Sequence, residues 1–97
     1  FESAQATFED ARYLGDDSGR TALGLALSQI GVGNGAAAAA VLDAARGSIP
    51  VSDYGLALAL AGETGRGVDA LAEALRGGEN TAKLRQNLAY AYALDGR

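Results

Sequence analysis

The sequence repeats itself at intervals of 31 to 34 residues. Segment 23–27 (LGLAL) recurs at 54–58 (YGLAL) and again at 88–92 (LAYAY), and a glycine stands eight residues after the start of each copy. Intervals of this length are typical of repeat proteins, in which each unit is one small motif that stacks on the next. The repeat therefore predicts an array of similar units with a continuous row of small cores.

A second pattern alternates with the first. It consists of a small residue, a larger apolar residue four positions later and another small residue three positions after that. Each repeating unit therefore contains two different segments. The copies of the second pattern are Ala4, Phe8 and Ala11, then Ala38, Leu42 and Ala45, and, more weakly, Ala70, Ala74 and Gly77.

Both kinds of segment are rich in Ala and Leu, which are strong helix formers, and the glycines cluster between them, where helices stop. The linkers are only a few residues long, so neighbouring helices are expected to be antiparallel. The sequence predicts one all-α domain over 1–97, an α-solenoid of antiparallel helix pairs with about three repeats. Its six helices are expected near 2–14, 19–30, 36–46, 51–61, 67–76 and 81–95.

A strand competes with a helix at 56–60, where Leu and Ala alternate with a period of two. Ala is depleted in strands, and Val, Ile and Thr are scarce nearby, so the helix is favoured. Start signals support several helices: Asp17 or Ser18 for the second, Pro50 for the fourth and Asn80 or Thr81 for the sixth. The expected core comprises Phe8, Leu23, Leu27, Leu42, Leu58, Leu71, Leu75, Leu88 and Tyr92.

The composition limits the classes of partner. Apolar residues make up 48% of the chain and charged residues 21%, which is typical of a folded domain. The net charge is −4 and the basic residues form no cluster, so we expect no nucleic-acid partner. No apolar run approaches the roughly 18 residues of a spanning helix, so this segment is not expected to insert into a membrane.

The side chains of most active sites are missing from the sequence. There is no histidine and no cysteine, which removes the commonest general base, the thiol nucleophiles and the usual metal ligands. The glycine-rich stretches 31–36 and 62–67 each follow a helix rather than a strand, so helix termination explains them better than nucleotide binding. We expect no enzymatic activity, cofactor or metal, and a nucleotide-binding enzyme is the minor alternative.

The two patterns resemble the tetratricopeptide repeat, a 34-residue helix pair with small and large residues at fixed positions. In the first helix of a unit Leu88, Ala89, Tyr92 and Gly96 match the family pattern, whereas Arg85 replaces an expected large residue. In the second helix of other units the matching residues are Ala4, Phe8 and Ala11 and then Ala38, Leu42, Ala45 and Pro50, whereas Ala74 and Gly77 depart from it.

The stretch 84–97 is similar to one in bacterial repeat proteins of the Tad (Flp) pilus assembly group, the TadD-like proteins. This resemblance implies an assembly factor of the bacterial cell envelope that contacts pilus or secretion machinery. The chain starts in a second helix and ends after a first helix, so we expect an excerpt of a longer array. The compartment stays open between the cytoplasm and the envelope, either periplasmic or anchored to the membrane through a missing segment.

The tetratricopeptide resemblance implies a scaffold for protein binding. First helices of successive units line a concave groove that accepts a partner peptide or helix. The implied groove residues are Gln29, Ser52, Leu56, Lys83, Gln86 and Tyr90, with Thr21, Leu25, Ser28, Leu60 and Leu94 as further candidates. Tyr90 is the favoured anchor, and its alternative role is to pack against a following helix. A cationic clamp for a peptide carboxyl terminus is not expected, because Gln86 and Tyr90 stand where its cations would be.

The alternative function is self-association into a homodimer through the open ends of the array. Leu84, Leu88 and Tyr92 belong to the last helix and would lack a partner helix if the chain ended at Arg97. They are therefore the expected oligomer end face. Light scattering separates the two hypotheses, since the groove hypothesis predicts a monomer in the absence of partner.

Overall fold

The computed structural model describes residues 18–96, and this part of the chain is all-helical. A 3-10 turn at Arg46–Ser48 separates the second helix from the third. The expected helix at 2–14 lies outside the described residues. The five α-helices are α1 (Ser18–Gly31), α2 (Gly35–Ala44), α3 (Val51–Leu60), α4 (Thr64–Arg76) and α5 (Ala82–Asp95).

The observed helices differ from the expected ones mainly at two boundaries. The strand alternative at 56–60 is wrong, because these residues lie in α3. α2 ends at Ala44 rather than near 46, because the chain tightens into the 3-10 turn. α4 starts at Thr64 rather than 67, so two glycines, Gly65 and Gly67, lie inside a helix. Gly67 is kept there by a close contact with α3, described below.

Side-chain caps hold the starts of α2 and α5. The Asn34 side chain accepts a hydrogen bond from the Ala37 backbone N–H at 3.3 Å, and Thr81 Oγ1 accepts one from the Leu84 N–H at 3.1 Å. Of the two predicted caps for α5, Thr81 is the one used. Each cap satisfies a backbone donor that the first turn of the helix leaves without a partner.

We predict that Thr81→Ala lowers the free energy of unfolding by about 1 kcal/mol, because the Leu84 N–H loses its acceptor. Urea denaturation measures the change. Thr81→Ser keeps the hydroxyl and is the matched control, with an expected loss of less than half as much. Equal losses in the two variants would contradict the capping role.

The buried apolar residues form two clusters, consistent with a row of small cores. The first contains Leu42, Ile49, Tyr54 and Leu58, and the second contains Val68, Leu71, Leu84 and Leu88 together with alanines. The predicted burial of Leu42, Leu58, Leu71 and Leu88 is confirmed. Phe8 lies outside the described residues, and the remaining predicted core residues are half-buried: Leu23, Leu27, Leu75 and Tyr92.

Cross-helix contacts fix the relative direction of α3 and α5. At the start of α3, the Asn87 side chain donates to the Ser52 carbonyl at 2.9 Å, and Lys83 pairs with Asp53 at 2.8 Å. Just past the end of α3, Thr64 Oγ1 donates to the Asp95 carboxylate at 2.7 Å, at the end of α5. The two helices therefore run side by side in the same direction.

The closest approach of two helices joins α3 and α4 at a pair of glycines. A Cβ atom at Gly67 would lie 2.5 Å from the Gly55 carbonyl oxygen and 2.9 Å from the Ala59 backbone nitrogen. Both obstacles are backbone atoms, which cannot rotate away. The pairing of Gly55 with Gly67 therefore sets the distance between α3 and α4.

Candidate functional site

Most of the exposed large apolar side chains gather on two neighbouring helices. Among residues 18–96 these side chains are Val32, Leu60, Tyr90 and Leu94, with exposed fractions of 70%, 37%, 55% and 43%. Leu60 belongs to α3, and Tyr90 and Leu94 are one turn apart on α5. Three of the four therefore lie on helices that pack side by side.

Helical periodicity places these residues on adjoining stripes. On α5, residues 83, 86, 90 and 94 fall on one face, while the buried Leu84, Leu88 and Ala91 point the other way. On α3, residues 53, 56 and 60 share a face. The ion pair between Lys83 and Asp53 joins the two stripes. Leu56, Leu60, Tyr90 and Leu94 therefore lie on neighbouring stripes of two helices that pack side by side, and we call these two stripes the α3–α5 face.

The predicted groove residues are only partly on this face. Lys83, Gln86 and Tyr90 are exposed on α5, and Leu56 is half-buried beside them. Ser52 is buried rather than exposed beside them, and its carbonyl accepts the bond from Asn87. Gln29 is half-buried on α1, and its Oε1 atom is inaccessible and has no hydrogen-bond partner.

Two of the further groove candidates are also buried rather than exposed. Thr21 and Ser28 are buried on α1, whereas Leu25 is half-buried. Leu60 and Leu94, from the same set, are exposed and belong to the α3–α5 face. The open surface is thus apolar over α3 and α5, and α1 contributes little to it.

Two of the three residues of the predicted oligomer end face are buried in the described part of the chain. Leu84 is fully buried and Leu88 is 8% exposed, because both pack into the second cluster against α3 and α4. Tyr92 is half-buried against the same cluster. The apolar side of α5 that carries these leucines is already covered by α3 and α4.

A polar cluster that the sequence did not reveal lies where α2, α3 and α4 meet. We call Asp43, Tyr54 and Arg66 the Asp43 cluster. Arg66 pairs with the Asp43 carboxylate at 2.7 Å, and the Tyr54 hydroxyl donates to the same carboxylate at 2.9 Å. Arg66 also lies 3.4 Å from the Tyr54 oxygen and 3.4 Å from Glu63. The Arg46 guanidinium stands 5.0 Å above the Tyr54 ring, a cation–π distance.

The charges of this cluster shift its titration. The hydrogen bond from Arg66, followed by that from Tyr54, lowers the pKa of Asp43 below its ordinary value of 3.8. Burial and then the Asp43 carboxylate raise the pKa of Tyr54 above 10.0. The same carboxylate raises the pKa of Arg66. The cluster therefore holds the carboxylate ionised and the phenol and guanidinium protonated over the whole neutral range.

The lowered pKa of Asp43 predicts a loss of stability in acid. Its contribution to folding is complete above the unfolded pKa near 3.8 and disappears as pH falls through the lower folded value. Because the Asp43 and Arg66 side chains are 43% and 46% exposed, we expect at most about 1 kcal/mol. The free energies of unfolding of wild type and Asp43→Asn, measured by urea denaturation, should differ by this amount at pH 7 and converge as the pH falls below 3.8 and through the lowered pKa of Asp43. A difference that persists in acid would contradict the assignment.

An open cleft of about 190 Å³ lies beside the Asp43 cluster, between the 3-10 turn and α4. Its floor is apolar, with Leu58 and Ala70, and its walls are charged on both sides. Within residues 18–96 no group of three acidic side chains is placed to hold a metal ion. The charged or polar residues that line the cleft are Arg46, Tyr54, Arg66, Asp69 and Glu73.

Of the helices between Ser18 and Asp95, none combines the length and the apolar character that a membrane crossing requires. Comparison of the chain with protein-family models, with curated proteins and with solved structures gives no match.

Proposed function

We propose that this chain is a protein-binding module that holds an amphipathic helix of a partner on the α3–α5 face, without a catalytic step. The observation that carries the proposal is the gathering of Leu60, Tyr90 and Leu94 on adjoining stripes of two parallel helices. Scattered single apolar residues on a surface need no explanation, whereas a contiguous apolar patch marks a binding site.

Tyr90 is the proposed anchor of the contact. More than half of its side chain is exposed, and a tyrosine brings a large rigid contact area with a polar tip to an interface. Leu94 lies one turn further along α5, and Leu60 lies on α3. A partner side chain placed between the two stripes would therefore touch apolar atoms on both helices and be removed from water.

A helical partner suits this face better than an extended one. An extended segment needs hydrogen-bond partners for its own backbone N–H and C=O groups when it is buried. Two polar side chains near the face are already engaged, since Lys83 pairs with Asp53 and Asn87 bonds to the Ser52 carbonyl. A helix satisfies its backbone internally and needs mainly apolar contact.

The spacing of the face supports the same choice. Leu56 and Leu60 are one turn apart on α3, and Tyr90 and Leu94 are one turn apart on α5, so each pair has a separation of roughly 6 Å. A partner helix with apolar residues at i, i+4 and i+7 repeats this spacing. We therefore propose an amphipathic partner helix lying along the valley between α3 and α5.

For the architecture we propose a tetratricopeptide-type solenoid. Its support is the parallel course of α3 and α5 and the sequence separation of their contacts, 35 residues for Ser52 with Asn87 and 31 for Thr64 with Asp95. These separations are close to the sequence repeat. The role in bacterial pilus assembly is a further proposal that rests on the resemblance of 84–97 alone, and it suggests where a partner helix should be sought first.

The proposal is tested with two displayed libraries of 14-residue peptides. One library carries apolar residues at i, i+4 and i+7 in a helix-forming background, and the matched library carries a central proline that breaks the helix. The proposal expects binders from the first library only. Binders recovered equally from both libraries would overturn the choice of a helical partner.

Affinity measurements by fluorescence anisotropy then locate the contact. Tyr90→Ser and Leu60→Ser should each weaken the selected peptide at least tenfold, since each removes more than about 1.4 kcal/mol of apolar contact. Val32→Ser is the matched control, because Val32 is 70% exposed and lies off the face. Unchanged affinity in both face variants, with the helical circular dichroism intact, would refute the proposed site.

Self-association is tested on the same variants. The buried state of Leu84 and Leu88 removes the reason to propose a dimer through these residues. Light scattering across a concentration series is expected to give the mass of a monomer. A concentration-dependent dimer that Tyr90→Ser abolishes would instead mean that the α3–α5 face takes a second copy of this chain.

A further inference from the structure

The Asp43 cluster connects two helices that otherwise barely touch. Asp43 belongs to α2 and Arg66 to α4, and the direct packing between these two helices is slight. Both of them contact α3, α4 extensively and α2 sparsely, and α3 lies between them in the chain and supplies Tyr54 to the cluster. The 2.7 Å pair of Asp43 with Arg66 is therefore a bridge across a gap rather than a contact within a packed interface.

The helices on the two sides of this bridge are packed unequally. α3, α4 and α5 contact one another extensively, whereas α1 and α2 pack closely on each other and only sparsely on α3. The chain from 18 to 96 thus consists of a tight group of three helices and a pair that is joined to it more loosely. A motion between these two bodies disturbs fewer contacts than a motion within either of them.

α2 is attached to the three-helix group at both of its ends. At its start, Gly35 lies so close to the Ala61 carbonyl that a Cβ atom there would collide with it. At its far end, Asp43 reaches Arg66. The first attachment depends on the fit of two backbones, and the second on an ion pair that solvent reaches. The second attachment is the one that can open.

We infer that the pair of Asp43 and Arg66 is a releasable clasp, which sets the angle between the α1–α2 pair and the group of α3, α4 and α5. Both side chains are nearly half exposed, so the pair stabilises the closed arrangement only weakly and is sensitive to salt. The neighbouring cleft of about 190 Å³ leaves space in which the 3-10 turn and α4 move relative to each other.

Two residues next to the clasp favour two separate states, closed and open, over a continuous range of angles. The buried Tyr54 hydroxyl donates to Asp43, so opening the clasp also removes this acceptor from a buried donor. Arg46 stacks on the Tyr54 ring and follows α2 in the chain, so it moves with the Asp43 side of the joint. Glu63 contacts Arg66 from the start of α4 itself and therefore does not bridge the two bodies.

The clasp follows from the packing alone, whereas its effect on binding rests on the proposed function. Because α1 also contacts α3, opening the clasp changes the position of α1 relative to the α3–α5 face. A long partner helix that reaches α1 would sense the angle, and a short one confined to α3 and α5 would not. The test below therefore measures the angle without any partner.

Distances between spin labels test the clasp in the whole chain. The sequence has no cysteine, so labels attach only at introduced positions. One pair, at Ala40 on α2 and Arg76 on α4, spans the joint, and a second pair, at Arg76 and Ala89 on α5, lies within the three-helix group. All three positions are exposed. Asp43→Asn and Arg66→Gln open the clasp, and Glu63→Gln is the matched control.

The α2–α4 distance distribution is expected to lengthen or broaden in Asp43→Asn and Arg66→Gln, and in wild type at ~1 M salt, where the Debye length is about 3 Å. Glu63→Gln and the α4–α5 pair are expected to stay unchanged. The charge-reversed double variant, Asp43→Arg with Arg66→Asp, should restore the wild-type distribution. Identical distributions in Asp43→Asn and wild type would overturn the clasp, and the salt series on wild type decides the matter if the variants do not fold.

Discussion

Replacing Leu84 with Ala is expected to lower the free energy of unfolding by about 2 to 5 kcal/mol. Leu84 is fully buried and contacts the second cluster, where α5 packs on α3 and α4. The substitution removes the apolar contacts of its side chain and leaves a cavity that the surrounding helices fill only partly. The loss is a large fraction of the total stability of a small domain, which is about 5 to 15 kcal/mol.

Leu94→Ala provides the matched control on the same helix. Its side chain is 43% exposed on the α3–α5 face, so we expect a loss of less than about 1 kcal/mol. Urea denaturation followed by circular dichroism measures both variants. If Leu84→Ala lowered the free energy of unfolding no more than Leu94→Ala, α5 would not pack on α3 and α4 through Leu84. The exposure of Tyr90 and Leu94 on the opposite side would then be wrong as well.

Replacing Gly67 with Val is expected to destabilise the fold by about 3 kcal/mol, the upper part of the range for overpacking. A Cβ atom at this position collides with the Gly55 carbonyl and the Ala59 backbone nitrogen, so α3 and α4 must move apart. The better helix propensity of valine offsets only a few tenths of a kcal/mol. The separation of these helices would also loosen the contacts of Leu71 with α3.

A graded series separates the steric effect from other effects of removing a glycine. Gly67→Ala introduces only the Cβ atom and gains about 1 kcal/mol in helix propensity, so its net loss should be smaller than that of valine. Gly47→Ala is the control, because a Cβ atom there meets nothing within 4 Å. In thermal and urea denaturation Gly47→Ala should be the most stable variant, Gly67→Ala the next and Gly67→Val the least stable. A different order would contradict the tight crossing of α3 and α4.

The helices from 18 onward could be predicted because local signals agree with one another there. Ala and Leu favour helix in every segment, and Pro50 and Thr81 mark helix starts at the positions where they occur. The late predicted start of α4 has a tertiary cause. Gly65 and Gly67 look like loop residues in sequence, but the crossing with α3 requires a residue without a side chain at Gly67.

The binding face could be predicted only in part, because adjacent residues of a helix point in directions about 100° apart. A small error in the assumed orientation of a helix therefore exchanges exposed and buried positions. Ser52 and Asp53 are neighbours, yet Ser52 is buried and Asp53 reaches Lys83 on the surface. The resemblance predicted a groove along the first helices of the units, and the predicted residues Leu56, Lys83, Gln86 and Tyr90 lie on α3 and α5. It could not indicate that Thr21 and Ser28 turn inward.

The Asp43 cluster was missed because nothing in the sequence connects its members. Asp43 and Arg66 are 23 residues apart and belong to different helices, and each alone is an ordinary surface charge. The burial of Leu84 and Leu88 was not predicted for a different reason, because the sequence does not show which side of the last helix packs on its neighbours. The most apolar side of α5 already packs on α3 and α4, which precede it in the chain.

We propose that the α3–α5 face holds an amphipathic helix, and an NMR titration tests this binding most directly. A helical peptide selected from the displayed library would be added to isotopically labelled protein, and amide and methyl signals would be followed. We predict that the largest shifts occur at Leu56, Leu60, Tyr90 and Leu94. Shifts confined to the cleft beside Tyr54 and Arg66, with the signals of Tyr90 and Leu94 unchanged, would contradict the claim.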